Sequence, residues 1–239
     1  MKRLTYYIAI CLATLTASSC SKFDNYDAPD QTVRGIVADA ATGKGVPSEV
    51  TTTDNALTAG TRIKLIETSW SPTATAQYLG THQDGTYINT KLFAATYSVI
   101  PEGAFVPPAA KTVEVKGGET EINFQVEPFL RIEWVGEPTY NTTTGKIDAQ
   151  YTITRGTANA SYQDAVGDCV LYLNNSPYLG NTNFTLFTRP AAADRPLNTT
   201  NSVASPVVPK GREYFLRVGA RIGSRLYNYS SIKSVVVPQ

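Results

Sequence analysis

Few residues of this 239-residue chain are of a type that does chemistry. There is one histidine, His82, in the stretch GTHQDGTY. A Ser-His-Asp triad needs a histidine held against a serine and oriented by a carboxylate, so His82 is the single candidate. Its place at a strand-to-turn junction beside Asp84 points instead to a polar turn. Structural zinc takes four Cys or His ligands and catalytic zinc commonly three, a set that three cysteines and one histidine spread along the chain do not supply. Cys169 lies in GDCVLYLN, where it shares one face of an alternating pattern with Leu171 and Leu173, as a small buried hydrophobe would. Glycoside hydrolysis needs two carboxyl groups held about 5–10 Å apart. Twenty Asp and Glu residues offer many pairs, but no motif marks one. The oxygen-rich DNYDAPD lacks the spacing of a calcium loop, and Gly43-Lys44-Gly45 lacks the spacing of a phosphate-binding loop. The expectation is a protein with no catalytic residue, no cofactor and no metal.

Binding chemistry has more material. Sugar C–H faces stack on aromatic rings, and fourteen tyrosines and two tryptophans are available, although β cores also consume aromatics. Trp134 shares a strand face with Leu130 and Ile132, which favours packing. Tyr227 and Tyr229, in RLYNYSS, read as strand-surface packing too. Trp70 differs, because ETSWSPTATAQY is polar and broken by proline. Trp70, together with Tyr78, is the candidate ligand contact; the alternative is a lid over the end of a core.

One further cysteine carries a different chemistry. Lys2 and Arg3 precede the apolar run LTYYIAICLATLTA, and small residues follow, as in a secretory signal peptide. The run is short for a bilayer core of about 30 Å, which needs about 20 apolar residues. Ala17-Ser18-Ser19-Cys20 resembles the bacterial lipobox, with Ala17 where leucine is usual. The resemblance implies that the Cys20 thiol is acylated and that the mature chain begins there. Several acyl chains hold a protein stably on a membrane, because each buried methylene contributes about 0.8 kcal/mol. Residues 1–19 are then the signal and residues 20–30 a solvated tether. Asp24 and Asp27, soon after the cysteine, resemble the surface-export signal of Bacteroidota lipoproteins.

Loss of residues 1–19 leaves 19 basic against 20 acidic side chains. A chain so nearly neutral has no electrostatic footprint for nucleic acid. With Cys169 alone remaining after Cys20 is acylated, no intramolecular disulfide can form.

The elements that must position these residues are strands. Helical periodicity is nearly absent, and alternating runs recur between Gly, Pro, Asn and Asp. They include QTVRGIVAD, TRIKLIET, GTYINTKL, ATYSVIP, KTVEVKG and TEINFQVEP, then FLRIEWV and KIDAQYTIT after Pro128. In the last run Ile147, Ala149, Tyr151 and Ile153 share a face. The expected fold is all-β, with two tandem sandwiches divided at a Pro-led hinge near 128.

Val33-x-Gly35-x-Val37-x-Asp39, followed by Thr42-Gly43-x-Gly45-Val46-Pro47, resembles the opening hairpin of transthyretin-type, carboxypeptidase-regulatory-like sandwiches. HQDGTYINTKLFAATYSVIP resembles their later signature, and the likeness covers residues 31–127. Residues 128–239 resemble a fibronectin type III module: a Pro-x-Gly turn precedes Tyr214, Leu216, Val218 and Ala220, with Tyr214 in the place of a tyrosine corner. The combined order is similar to two-domain surface lipoproteins of unknown function from Bacteroidota, often encoded beside an outer-membrane importer and its glycan-capturing partner lipoprotein. What this resemblance implies is a lipid-anchored outer-membrane accessory protein that captures glycans. The alternative is a structural component that docks on the importer without touching sugar.

Overall fold

The computed structural model describes residues 27–50, 57–69, 71 and 73–239. Its first half forms two facing sheets. One is built around β1 (Gln31–Asp39), with β4 (Thr86–Leu92) antiparallel on one side and β7 (Glu119–Glu121) and β8 (Phe124–Val126) parallel on the other. The other has the order β3 (Gln77–Gly80), β2 (Arg62–Glu67), β5 (Ala95–Glu102), β6 (Lys111–Val115). Alternation decides what goes inside, since successive side chains of a strand point to opposite faces. Val33 and Val37, Ile63 and Leu65, Tyr97 and Val99 are buried together with Phe124 in the first core.

Gly35 shows why a side chain is missing from the middle of β1. A Cβ there would lie 2.0 Å from the Ile122 carbonyl oxygen, so only glycine allows the two backbones to approach. The Tyr87 hydroxyl donates to that same carbonyl. The chain steps aside between β7 and β8, and the Asn123 side chain fills the gap by accepting from Ile36 N at 3.0 Å.

The second half repeats the plan. One sheet joins β9 (Leu130–Trp134), β10 (Thr139–Asn141), β11 (Lys146–Arg155) and β14 (Thr200–Ala204), with β11 at its centre. The facing sheet runs β13 (Leu186–Thr188), β12 (Val166–Asn174), β15 (Arg212–Ile222), with β16 (Asn228–Tyr229) and β17 (Lys233–Val237) both pairing β15. This is a fibronectin type III arrangement of strands. Ile147, Ala149, Tyr151 and Ile153 enter the second core with Leu171, Leu173, Leu216 and Val218. Tyr214 is buried, and its hydroxyl donates to the Pro209 carbonyl at 3.2 Å, closing the corner.

The two sandwiches share a dense polar seam. Glu127-Pro128-Phe129 is held on one side by Val106 N to Glu127 O (2.9 Å) and Phe129 N to Ala104 O (3.1 Å), and on the other by Gly156 N to Phe129 O (3.1 Å). Arg131 of β9 clasps Asp39 of β1 with Nε to Oδ2 at 2.5 Å and Nη2 to Oδ1 at 2.8 Å. Arg217, 1% exposed on β15, donates to Ser48 O at 2.7 Å, Leu179 O at 3.2 Å and Ser230 O at 3.0 Å. Its guanidinium lies 4.6 Å from the centre of the Tyr229 ring. The Tyr229 hydroxyl donates to the carboxylate of Glu49, itself 3% exposed, and Thr182 donates to the same carboxylate from its amide (3.0 Å) and hydroxyl (2.9 Å). Buried charges stand only when paired and hydrogen-bonded, and here each sandwich supplies partners for the other's.

Candidate binding cleft between the sandwiches

Where the halves meet, they leave a cavity of about 340 Å³. One wall is the turn after β1, with Thr42, Lys44, Val46 and Pro47; the opposite wall comes from β16 and its sequel, with Asn228, Tyr229, Ser231 and Lys233. The floor is β9, which pairs with β11 along one edge only. The other edge turns to the cleft, and the Asn228 side chain satisfies one of its amides, Leu130 N, at 3.0 Å.

Trp134, the last residue of β9, is half-buried and lines this cleft. Its indole Nε1 donates to Ser231 O at 2.8 Å, which fixes the ring plane. Lys44 and Glu133 also line the cleft and are exposed, and Lys233 Nζ is 2.5 Å from Glu137. Burial alone would raise the Asp39 carboxyl, but the Arg131 hydrogen bond, the Ala41 amide and the Arg131 charge outweigh it and hold the group below the ordinary carboxylate range. Asp39 is therefore an ionised ion-pair partner, unsuited to act as a general acid. A pinned aromatic ring in a cleft also lined by an amine and a carboxylate has the makeup of a small-ligand site. A more open depression of about 790 Å³, on the far side of the hinge and lined by Val106, Pro107, Pro108 and Thr157, has no aromatic ring.

Sequence reasoning assigns Trp134 to packing with Leu130 and Ile132. The structure packs the half-buried Trp134 against the second core and also places it in the lining of the cleft. Its signal in the sequence was position: a tryptophan next to the end of an alternating run. Tyr78 sits on β3, and the Arg62 guanidinium carbon lies 3.8 Å from its ring centre, so one ring face caps the Arg62–Glu102 ion pair (2.8 Å). Tyr78 borders neither the cleft nor Trp134. Trp70 and Cys20 lie outside the described residues, as does most of the tether. Tyr227 and Tyr229 pack on the outer face of the second sandwich with Val170, Tyr172 and Leu179.

His82 is exposed in its turn, with Nδ1 3.0 Å from Thr86 Oγ1. Cys169 is fully buried, and its Sγ lies 3.3 Å from the Tyr151 hydroxyl. Burial pushes its thiol up to about 11, away from the thiolate form that a nucleophile needs. Among the described residues no three His, Cys, Asp or Glu side chains gather as a metal site, and no helix is long and apolar enough to cross a membrane.

Residues 33–127 match the family model described as protein of unknown function (DUF3823), N-terminal domain. A search of curated proteins found no match. Among solved structures, a DUF3823 family protein from Bacteroides uniformis is 27% identical, with 88% of this chain and all of that chain covered and a TM-score of 0.73. A second Bacteroides uniformis protein, named a "putative carbohydrate binding protein", is 23% identical over 87% of this chain and all of its own, with a TM-score of 0.69. A DUF3823 family protein from Parabacteroides merdae is 19% identical over 87% of this chain and all of its own, at a TM-score of 0.67.

Proposed function

We propose that this chain, whose residues 33–127 match the DUF3823 N-terminal domain model, is a carbohydrate-binding accessory protein held by acyl chains on Cys20 at the bacterial outer membrane. In this reading it presents glycans to an importer and its partner lipoprotein and carries out no reaction on them. The observation that carries the proposal is the cleft with Trp134 at its floor. An indole fixed by a hydrogen bond stacks on the apolar face of a pyranose at little entropic cost, while Lys44 and Glu133 reach its hydroxyls. The name of the second Bacteroides uniformis neighbour, a protein of the same fold, points the same way.

The test is a calorimetric titration of the full chain, purified in detergent, against a panel of neutral oligosaccharides. Saturable binding of at least one is expected, weakened about tenfold by Trp134→Ala, equivalent to about 1.4 kcal/mol. Binding to none, or binding that Trp134→Ala leaves untouched, would remove the cleft as the site.

A further inference from the structure

The outer face of the larger second sheet carries a group of side chains that the cleft does not use. Alternation along β12 sends Cys169, Leu171 and Leu173 into the core and leaves Asp168, Val170 and Tyr172 facing outward. Opposite Asp168 in register stands Arg221 of β15. Arg189 Nε donates to Asp168 Oδ1 at 2.9 Å, Arg195 Nη1 lies 3.5 Å from the same oxygen, and Arg221 Nη2 lies 3.8 Å from Oδ2. The Tyr227 hydroxyl donates to Oδ2 as well, and the Arg221 guanidinium lies 4.7 Å from the Tyr227 ring centre.

One carboxylate thus faces three guanidiniums, and although Gly167 O accepts from Arg195 Nη2 at 3.2 Å, donors outnumber acceptors. The Nε atoms of Arg195 and Arg221 are shielded from solvent and have no hydrogen-bond partner. A buried donor left without an acceptor is costly to the fold. Asp164, the acid near Arg225, is already engaged there at 3.9 Å.

Beside this charge lies an aromatic ledge. Phe187 on edge strand β13 is 45% exposed and Phe184 is 38% exposed. Their rings meet edge to face with centroids 5.3 Å apart, and the Arg189 guanidinium lies 5.7 Å from the Phe187 ring. Behind Phe184 the ring of Tyr172 stands 5.3 Å away. An exposed aromatic pair bordered by surplus guanidinium charge matches a ligand that has both an apolar face and an anionic group. A planar guanidinium pairs two-to-two with a carboxylate or sulfate, and a phenyl ring takes the C–H face of a sugar. Charge near zero over the whole chain argues against nucleic acid.

We propose that Phe184, Phe187, Arg189 and Arg221 form a second saccharide site, separate from the cleft and selective for sugars that carry a carboxylate or sulfate. The proposal rests on the carbohydrate-binding reading of the chain, but not on the cleft. The experiment titrates the full chain in detergent with trigalacturonic acid, with a chondroitin sulfate hexasaccharide and with neutral galactotriose. At least one acidic probe should bind about tenfold more tightly than galactotriose, and should weaken as salt is raised. Whichever acidic probe binds identifies the anionic group. Arg189→Gln and Phe187→Ala, both at half-exposed positions, should each weaken that binding about tenfold, and Trp134→Ala should leave it unchanged. Equal affinity for acidic and neutral probes, or indifference to both Arg189→Gln and Phe187→Ala, would overturn the proposal. So would loss of acidic binding in Trp134→Ala, which would move the acidic sugar to the cleft. Failure of neutral sugars to respond to Trp134→Ala sinks the cleft alone, so the two readings fail separately.

Discussion

At the scale of single residues, environment decides role more than residue type does. Cys169 and Cys20 are the same side chain with different expected roles. Cys169 is sealed between sheets beside Tyr151, and burial keeps its thiol protonated. Cys20 stands in a segment that resembles a lipobox, where the thiol is the point of attachment. Cys20→Ala is therefore expected to move the chain from the membrane pellet to the soluble fraction, and mass spectrometry of the wild-type N-terminal peptide should find it acylated. An unmodified terminus, or a variant that still sediments with membranes, would refute the anchor. Tyr214 is the residue whose local role was most legible, because the likeness of its strand to a fibronectin type III module puts it in the place of a tyrosine corner. That bond, to Pro209 O, is present at 3.2 Å. Trp134 was half legible: alternation names the face it shares with Leu130 and Ile132 but cannot say where the core stops.

At the scale of elements, the β1 strand holds the first sandwich together by pairing on both edges, antiparallel with β4 and parallel with β7 and β8. Gly35 is the point where this pairing is closest. Gly35→Ala would drive a methyl group to 2.0 Å from Ile122 O and force β1 away from its parallel neighbours. A loss of about 3 kcal/mol is expected, as for overpacking a tight interior, seen as a lower urea midpoint. Tyr87→Phe, which removes only the donor to Ile122 O, should lose about 1 kcal/mol. Equal stability of Gly35→Ala and wild type would show that the strands have room to separate. The turn ahead of β4 follows the same logic in sequence terms: Gly85 takes a φ of 84°, where a side chain is strained, and Asp84 accepts from Thr86 N at 3.0 Å.

For the molecule as a whole, the seam makes the two sandwiches dependent on each other's ionisation. Asp39 belongs to the first and Arg131 to the second, and the folded carboxyl sits below its ordinary range. At pH values between the folded and unfolded pKa the unfolded chain holds more protons, so stability rises with pH there. The contribution is complete above the unfolded value of about 3.9 and is lost as pH falls through the folded one. Asp168, whose burial would raise it but is outweighed by the Tyr227 hydrogen bond and the Arg189 charge, and Asp84, held low first by Thr86, add to the same acid limb. In Arg131→Ala only the Ala41 amide and the Thr42 hydroxyl still oppose the burial of Asp39, so its acid loss should begin at higher pH. Urea unfolding followed from about pH 3 to about pH 7 should show that displacement, and superimposable pH profiles would contradict it. Arg217 adds a second tie: burial draws its guanidinium down to about 10, and its partners come from both halves.

Alternation and turn residues by themselves determined that the chain is all-β and that Ile147, Ala149, Tyr151 and Ile153, and Cys169, Leu171 and Leu173, each share one face of a strand, the face that enters the second core. These follow from the period-two geometry of strands and from local backbone limits, both of which act within a few residues. The cleft, the aromatic ledge and the burial of Glu49 were decided only by the tertiary structure. Lys44 and Trp134 are ninety positions apart, and no local rule brings them to one cavity. Glu49 reads as a surface charge until the second sandwich brings Tyr229 and Thr182 to its carboxylate. Such sites arise where surfaces from distant segments meet, and periodicity says which side of a strand faces inward but not which other strand it will face.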